Sequence, residues 1–149
     1  MIPSIDDRLA SVARALSDVV LPALPPEAGL AAEQVQLAIG HLQIIRSQID
    51  AAPAFEAEEL ADTIELTRTL LSLVDDQPLS AALLKADAAT TPGDIRQARA
   101  ALNREIARVL LAEGGRDEVR SAVIDAERAR SRKDREWFKP FGFDPDRSG

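Results

Sequence analysis

Apolar residues recur at steps of three and four along nearly the whole chain, and the strict alternation of a half-buried strand is missing. The pattern predicts helices throughout. Ser4, with Asp7 three residues on, reads as a capping box. The stripe Ile5, Leu9, Val12, Leu16, Val19/Val20 follows, and Pro22 is expected to end this first helix. The stretch LPALPPEAG is expected as a semi-extended connector, because prolines lack a donor and push the residues before them to extended backbone.

A second helix is predicted over about 30–49, with the stripe Ala31, Val35, Ala38, Leu42, Ile45 and Ile49. Leu30, Leu37, His41 and Ile44 flank it, and so wide an apolar arc predicts a central position. AAPA breaks it. The third helix, about 56–74, offers Leu60, Ile64, Thr67, Leu71 and Val74 for burial, and Pro78 opens a short fourth that runs to about Ala88. Thr91, Pro92 and Asp94 supply a cap, a proline at the first position and an acid at the third. The fifth helix then uses Ile95, Ala98, Leu102, Ile106, Val109 and Leu110, and stops at Gly114-Gly115. The sixth, about 117–137, has the thinner stripe Val119, Val123, Ala126 and Arg130. The fold class expected is all-α: an up-down bundle of five to six helices over residues 1–136, followed by an irregular aromatic tail, 137–149.

At 149 residues the chain is long enough to bury roughly 68–70% of its unfolded surface as one domain. It has no cysteine, hence no disulfide, thiolate nucleophile or cysteine-ligated metal. The N-terminal MIPSIDDRLA carries acid where a signal peptide needs base, and the longest uncharged run, Gln34 to Ile45, is too short to span a membrane. A soluble cytoplasmic protein is expected, with no membrane association. The net charge of −7 argues against nucleic acid as a partner. That charge is unevenly spread: residues 1–115 hold nine basic and seventeen acidic side chains, whereas 128–139 hold six basic and two acidic. A basic arm therefore follows an acidic body, a distribution suited to self-association or to an acidic partner.

Candidate chemistry is sparse. His41 is the only histidine. A general base needs a partner within hydrogen-bond reach, and the residues three and four away, Leu37, Ala38, Ile44 and Ile45, supply none. The favoured reading is a core-edge histidine satisfied by an acceptor. An enzyme pairing His41 with a carboxylate from another helix ranks below that reading. A di-iron bundle needs Glu-x-x-His on two helices, which is absent, and one histidine without cysteine falls short of a zinc site. Glu58, Asp62 and Glu65 line one helix face, which reads as a solvated acidic face rather than a hard-cation site. Phosphate-loop glycines and a nucleophile elbow are missing. No catalytic residue, metal or cofactor is assigned.

The aromatics are few and gathered. Of Phe55, Trp137, Phe138, Phe141 and Phe143, four fall within seven residues near the C-terminus. Such rings dominate interface energetics. Trp137, Phe138, Phe141 and Phe143, with Arg130 and Arg135 from the basic arm, are therefore the candidate docking residues, in cis or on a partner. An alternative places an apolar, acyl-like ligand in a pocket beside Leu37, His41 and Ile44.

The stretches VVLPALP, AAEQVQLAIGHLQIIR and WFKPFGFDPD resemble a family of small bacterial all-helical proteins of unknown function. That family accompanies kinases of the aminoglycoside-phosphotransferase type and acyl-CoA dehydrogenases. The resemblance covers mainly 15–49 and the tail, brings no catalytic residue, and implies an accessory role near acyl-CoA or small-molecule metabolism. With the basic arm and the aromatic tail, the partner expected is a second copy of the chain or a metabolic enzyme.

Overall fold

The structure, a computed structural model, describes residues 3–139. These are helical nearly throughout, without a strand among them. The chain divides into two compact units between Ala52 and Pro53.

The first unit opens with α1, Ile5–Ala15. Its capping box is formed as expected: the Asp7 amide donates to Ser4 Oγ at 3.1 Å, and the Ser4 amide to Asp7 Oδ2 at 3.0 Å. Pro22 does not end the helix. The chain widens to a π turn over Leu16–Val20, in which the Leu21 amide donates to the Leu16 carbonyl, and then makes one more short helix, α2, Leu21–Ala23. A proline inside a regular helix lacks a donor and crowds the carbonyl four residues back. The widened turn shifts that ladder and carries the helix through Pro22. The real stop is Leu24, forced to extended backbone (ψ 138°) by Pro25 behind it. Part of the expected connector is thus helix.

The next helix, α3, Gly29–Gln48, matches its predicted range within a residue. Asp6 and Arg46 form a two-pronged ion pair at 2.7 and 3.0 Å. The start of α1 therefore meets the end of α3, and the two helices run antiparallel. Arg46 holds the Asp6 carboxyl below the usual carboxylate range, chiefly through this hydrogen bond. The expected central position of α3 is not found: it has no fully buried residue, and in α1 only Ala13 is buried.

In the second unit, α4 spans Ala52–Leu73 and starts earlier than expected, since Pro53 falls in the first turn, where its missing donor has no helical acceptor to serve. After it come α5, Gln77–Asp87, α6, Pro92–Glu113, and α7, Asp117–Phe138. The Thr91–Asp94 capping box and the Pro92 start are as the sequence predicts. Past the end of α6, a side chain at Gly114 would collide with the Leu110 carbonyl oxygen, which accounts for glycine there.

Two apolar clusters form the core of this unit. Leu60, Ala86, Ala98 and Leu102 make one, and Leu70, Leu79, Ile106, Val109 and Val119 the other. The expected stripe of α6 appears in them, but of the α7 stripe only Val119 is buried and Val123 packs beside it, while Ala126 lies outside both clusters and Arg130 is exposed. On α4 the inner row is Leu60, Thr67 and Leu70, with Leu71 and Val74 only half-buried, a shift of one residue at the C-terminal turn. The buried Thr67 hydroxyl donates to the Thr63 carbonyl at 2.8 Å, so its burial leaves no donor unmet.

Polar ties close the ends. Arg116 donates to the Leu73 carbonyl at 3.0 Å, joining the end of α4 to the start of α7 across 43 residues of sequence. Asp76 caps α5 by accepting from the Leu79 amide at 2.8 Å and also accepts from Arg108 of α6 at 2.5 Å. The Arg108 hydrogen bond, then the Leu79 amide, hold the Asp76 carboxyl below its usual range.

A carboxyl depressed in this way stabilises the folded chain above its unfolded pKa of about 4, and that contribution is lost as pH falls through the folded value. Asp76→Ala should cost roughly 0.5–2 kcal/mol for the lost cap. Asp76→Asn should cost less at neutral pH, because asparagine keeps the cap acceptor, and should flatten the loss of stability as pH falls below about 4. Urea unfolding at stepped pH checks both.

Candidate functional site

Glu56, Glu59 and Asp62 follow one another at three-residue steps on α4, which places them along one helix face. Each faces a cation from α6 or α7. Arg96 reaches Glu56 at 3.1 Å. Arg99 pairs with Glu59, and Arg130 of α7 approaches the same carboxylate at 3.9 Å. Lys133 donates to Asp62 at 2.5 Å. One turn beyond Lys133, Trp137 stacks on Phe55, with ring centroids 4.2 Å apart and planes 24° from parallel. Arg130, Lys133 and Trp137 of the basic arm are therefore laid along α4, aromatic against aromatic and cation against carboxylate.

The electrostatics explain the fit. The hydrogen bond to Asp62 raises the Lys133 pKa; partial burial opposes this, and the fields of Asp62, Glu58 and Glu65 add to the rise. Of the acidic face Glu58, Asp62 and Glu65, all three lie exposed as expected, and Asp62 also receives the chain's own ammonium. Arg130 also lies 3.7 Å from Glu127 and 4.0 Å from Asp134 of its own helix, so its guanidinium is shared among three carboxylates. Glu59 is the most sheltered of them, with 16% of its side chain exposed.

Thr63 and Asn103 complete the walls of this cleft, whose volume is about 90 Å³. Small-molecule sites run to roughly 300–1,000 Å³ and are mostly apolar. This cleft is smaller and filled with matched charges, so its chemistry is that of a fastening between helices. A wider groove of about 390 Å³ continues between α4 and α7 past Leu66, Thr69, Ala122 and Ala126, with Glu65 and Asp125 also beside it. Among the described residues no group of three His, Asp or Glu side chains is placed to hold a metal, and no helix is long and apolar enough to cross a membrane.

No family model, curated protein or solved structure matches the chain. The site must be judged on geometry.

Of the expected docking residues, Trp137 is half-buried in cis on Phe55, and Arg130 joins the charge network. Arg135 lies exposed on the last turn of α7. Phe138 is still helical, ends α7 and keeps 40% of its surface exposed. Phe141 and Phe143 lie outside the described residues. Leu37 and His41 are exposed on α3 and Ile44 is half-buried beside them. His41 is therefore not the core-edge residue expected, because α3 turns that row outward. The role of Phe55 was not drawn from the sequence. Its signal was available, since it is the one aromatic outside the tail and lies on the helix that carries the acidic row.

The Phe55–Trp137 stack should be readable directly, because Trp137 is the only tryptophan. Stacked aromatic pairs add about 0.5–1.5 kcal/mol beyond their burial. Phe55→Leu should lower stability by about that amount and move Trp137 emission to longer wavelength in the folded state. Emission unchanged by the substitution would mean that Trp137 does not rest on Phe55.

Proposed function

We propose that this chain is a non-catalytic helical interaction protein: an up-down bundle whose basic, aromatic C-terminal arm docks on a partner. The observation that carries the reading is the way α7 is fastened. Trp137 on Phe55 and Lys133 on Asp62 hold the inner side of the arm to α4, while Phe138 at its end remains 40% exposed. The sequence then continues through Phe141 and Phe143. An anchored helix with Phe138 exposed on its last turn loses less freedom on binding than an unanchored segment would, and preorganisation of this kind favours affinity.

The surroundings of the arm favour recognition over catalysis. The carboxylates of the cleft are matched to guanidinium or ammonium groups of the same chain, and binding hot spots concentrate in aromatic and arginine side chains such as those of α7. The partner we propose is a cytoplasmic metabolic enzyme or a further copy of the chain; the resemblance of 15–49 and of the tail to an accessory family favours the enzyme. Arg135 and Lys139 would lend the arm its charge toward an acidic surface.

The test compares full-length protein with a Phe138→Ala/Phe141→Ala/Phe143→Ala variant, in which the Trp137 anchor is untouched. After cross-linking in the native cell, affinity capture and mass spectrometry should recover a metabolic enzyme with the wild type, cross-linked near Lys139, and not with the variant. Identical capture by both proteins, or cross-links confined to other helices, would remove the arm from the function.

A further inference from the structure

The hairpin of α1 and α3 has one buried residue, Ala13, and a long apolar face that its own two helices do not cover. On α1 and the turn that continues it, Ile5 is 63% exposed, Val12 half exposed and Val19 66% exposed. On α3, Leu30 is 73% exposed, Leu37 56% exposed and Ile45 nearly half exposed. Ile5 and Val12 are spaced by seven residues on α1, and Val19 follows at the same step but within the π turn, which widens the register; on the regular helix α3, Leu30, Leu37 and Ile44 beside Ile45 keep the step. A seven-residue step keeps side chains on one face and is the spacing of a seam between packed helices.

The two stripes lie on one side of the hairpin. On α1 the row facing α3 centres on Ala13, and on α3 the row facing α1 runs through Val35, Ala38 and Leu42. Each exposed stripe is offset from its contact row in the same rotational sense. The helices are antiparallel, as the Asp6–Arg46 pair shows, and equal offsets on antiparallel helices fall on the same side. None of the six seven-step positions carries a charge, and His41 borders the α3 row between Leu37 and Ile44.

We propose that this face is a homodimer interface, on which a second copy of the chain lays the same hairpin to close a four-helix bundle. Three arguments favour a second copy. Six or seven side chains about half exposed or more offer on the order of 700 Å², close to the roughly 800 Å² per partner of a standard stable interface. Two antiparallel hairpins with apolar faces are self-complementary about a two-fold axis, the commonest symmetry of soluble oligomers. A two-helix unit that fully buries one alanine has little core of its own, and four helices are the smaller number that closes one. The inference rests on the reading that the chain is an interaction protein, but it uses neither α7 nor the tail.

Sedimentation of the full chain, wild type and variants, over a range of concentrations provides the test. The wild type should sediment as a dimer at micromolar concentration. Leu37→Glu should weaken self-association about 100-fold or more, since a charge would be buried at the centre of the seam. Val12→Glu on the other helix should do the same. Both sites are exposed within one copy, so helical circular dichroism should be unchanged. The Phe138→Ala/Phe141→Ala/Phe143→Ala variant should remain a dimer, whereas Leu37→Glu should still capture the partner of the arm. A wild-type monomer at all concentrations overturns the inference, as does a dimer untouched by both glutamates. A dimer lost only when the phenylalanines are removed also overturns it, and assigns self-association to the arm.

Discussion

Ala98, Leu102, Ile106 and Val109 recur at helical steps along α6, and the buried side chains of α4, α5 and α7 are those gathered round this row. Leu60 and Ala86 meet its first half, and Leu70, Leu79 and Val119 meet its second. The polar ties follow from that packing. Arg108 reaches the cap of α5, and Arg96 and Arg99 reach the acids of α4, because they flank the stripe that faces those neighbours. The apolar row sets which helices meet, and the charges fix their register.

The helical character, most boundaries, two capping boxes and the stripe of α6 were legible in the sequence, because each depends on neighbours within a few residues; of the α7 stripe only its first half, Val119 and Val123, meets the core. The prolines are weaker stops than they look. A π turn carries the helix through Pro22, and the break after α3 falls just before Pro53, which sits in the first turn of α4 rather than ahead of it. In both cases the deciding fact is the hydrogen-bond ladder around the proline, which the residue itself does not encode. The broad arc of α3 was also legible, but its meaning was not. An apolar arc says that a surface needs cover; it does not say which molecule supplies it.

The site shows the same division. The aromatic cluster and the basic arm were visible as composition, and the acidic row of α4 as spacing. Their conjunction was not visible, because Asp62 and Lys133 are 71 residues apart and nothing local joins them. Once joined, the readings change one another: Asp62 becomes a seat for Lys133, and Trp137 becomes an internal contact on Phe55.

The hydrogen bond from Arg116 to the Leu73 carbonyl bears on how the unit assembles in time. It closes a loop of 43 residues, an event whose entropic cost grows with loop length. Within that loop, α5 and α6 make the most extensive helix–helix contact of the second unit, at short sequence separation. Local contacts of this kind form early. With α5 folded back on α6, the ends of the loop are already near each other, and the Arg116 clasp has little further distance to close. Folding of this unit would then proceed outward from its middle, with α4 and α7 arriving last and the arm taking its seat only when the core beneath it exists.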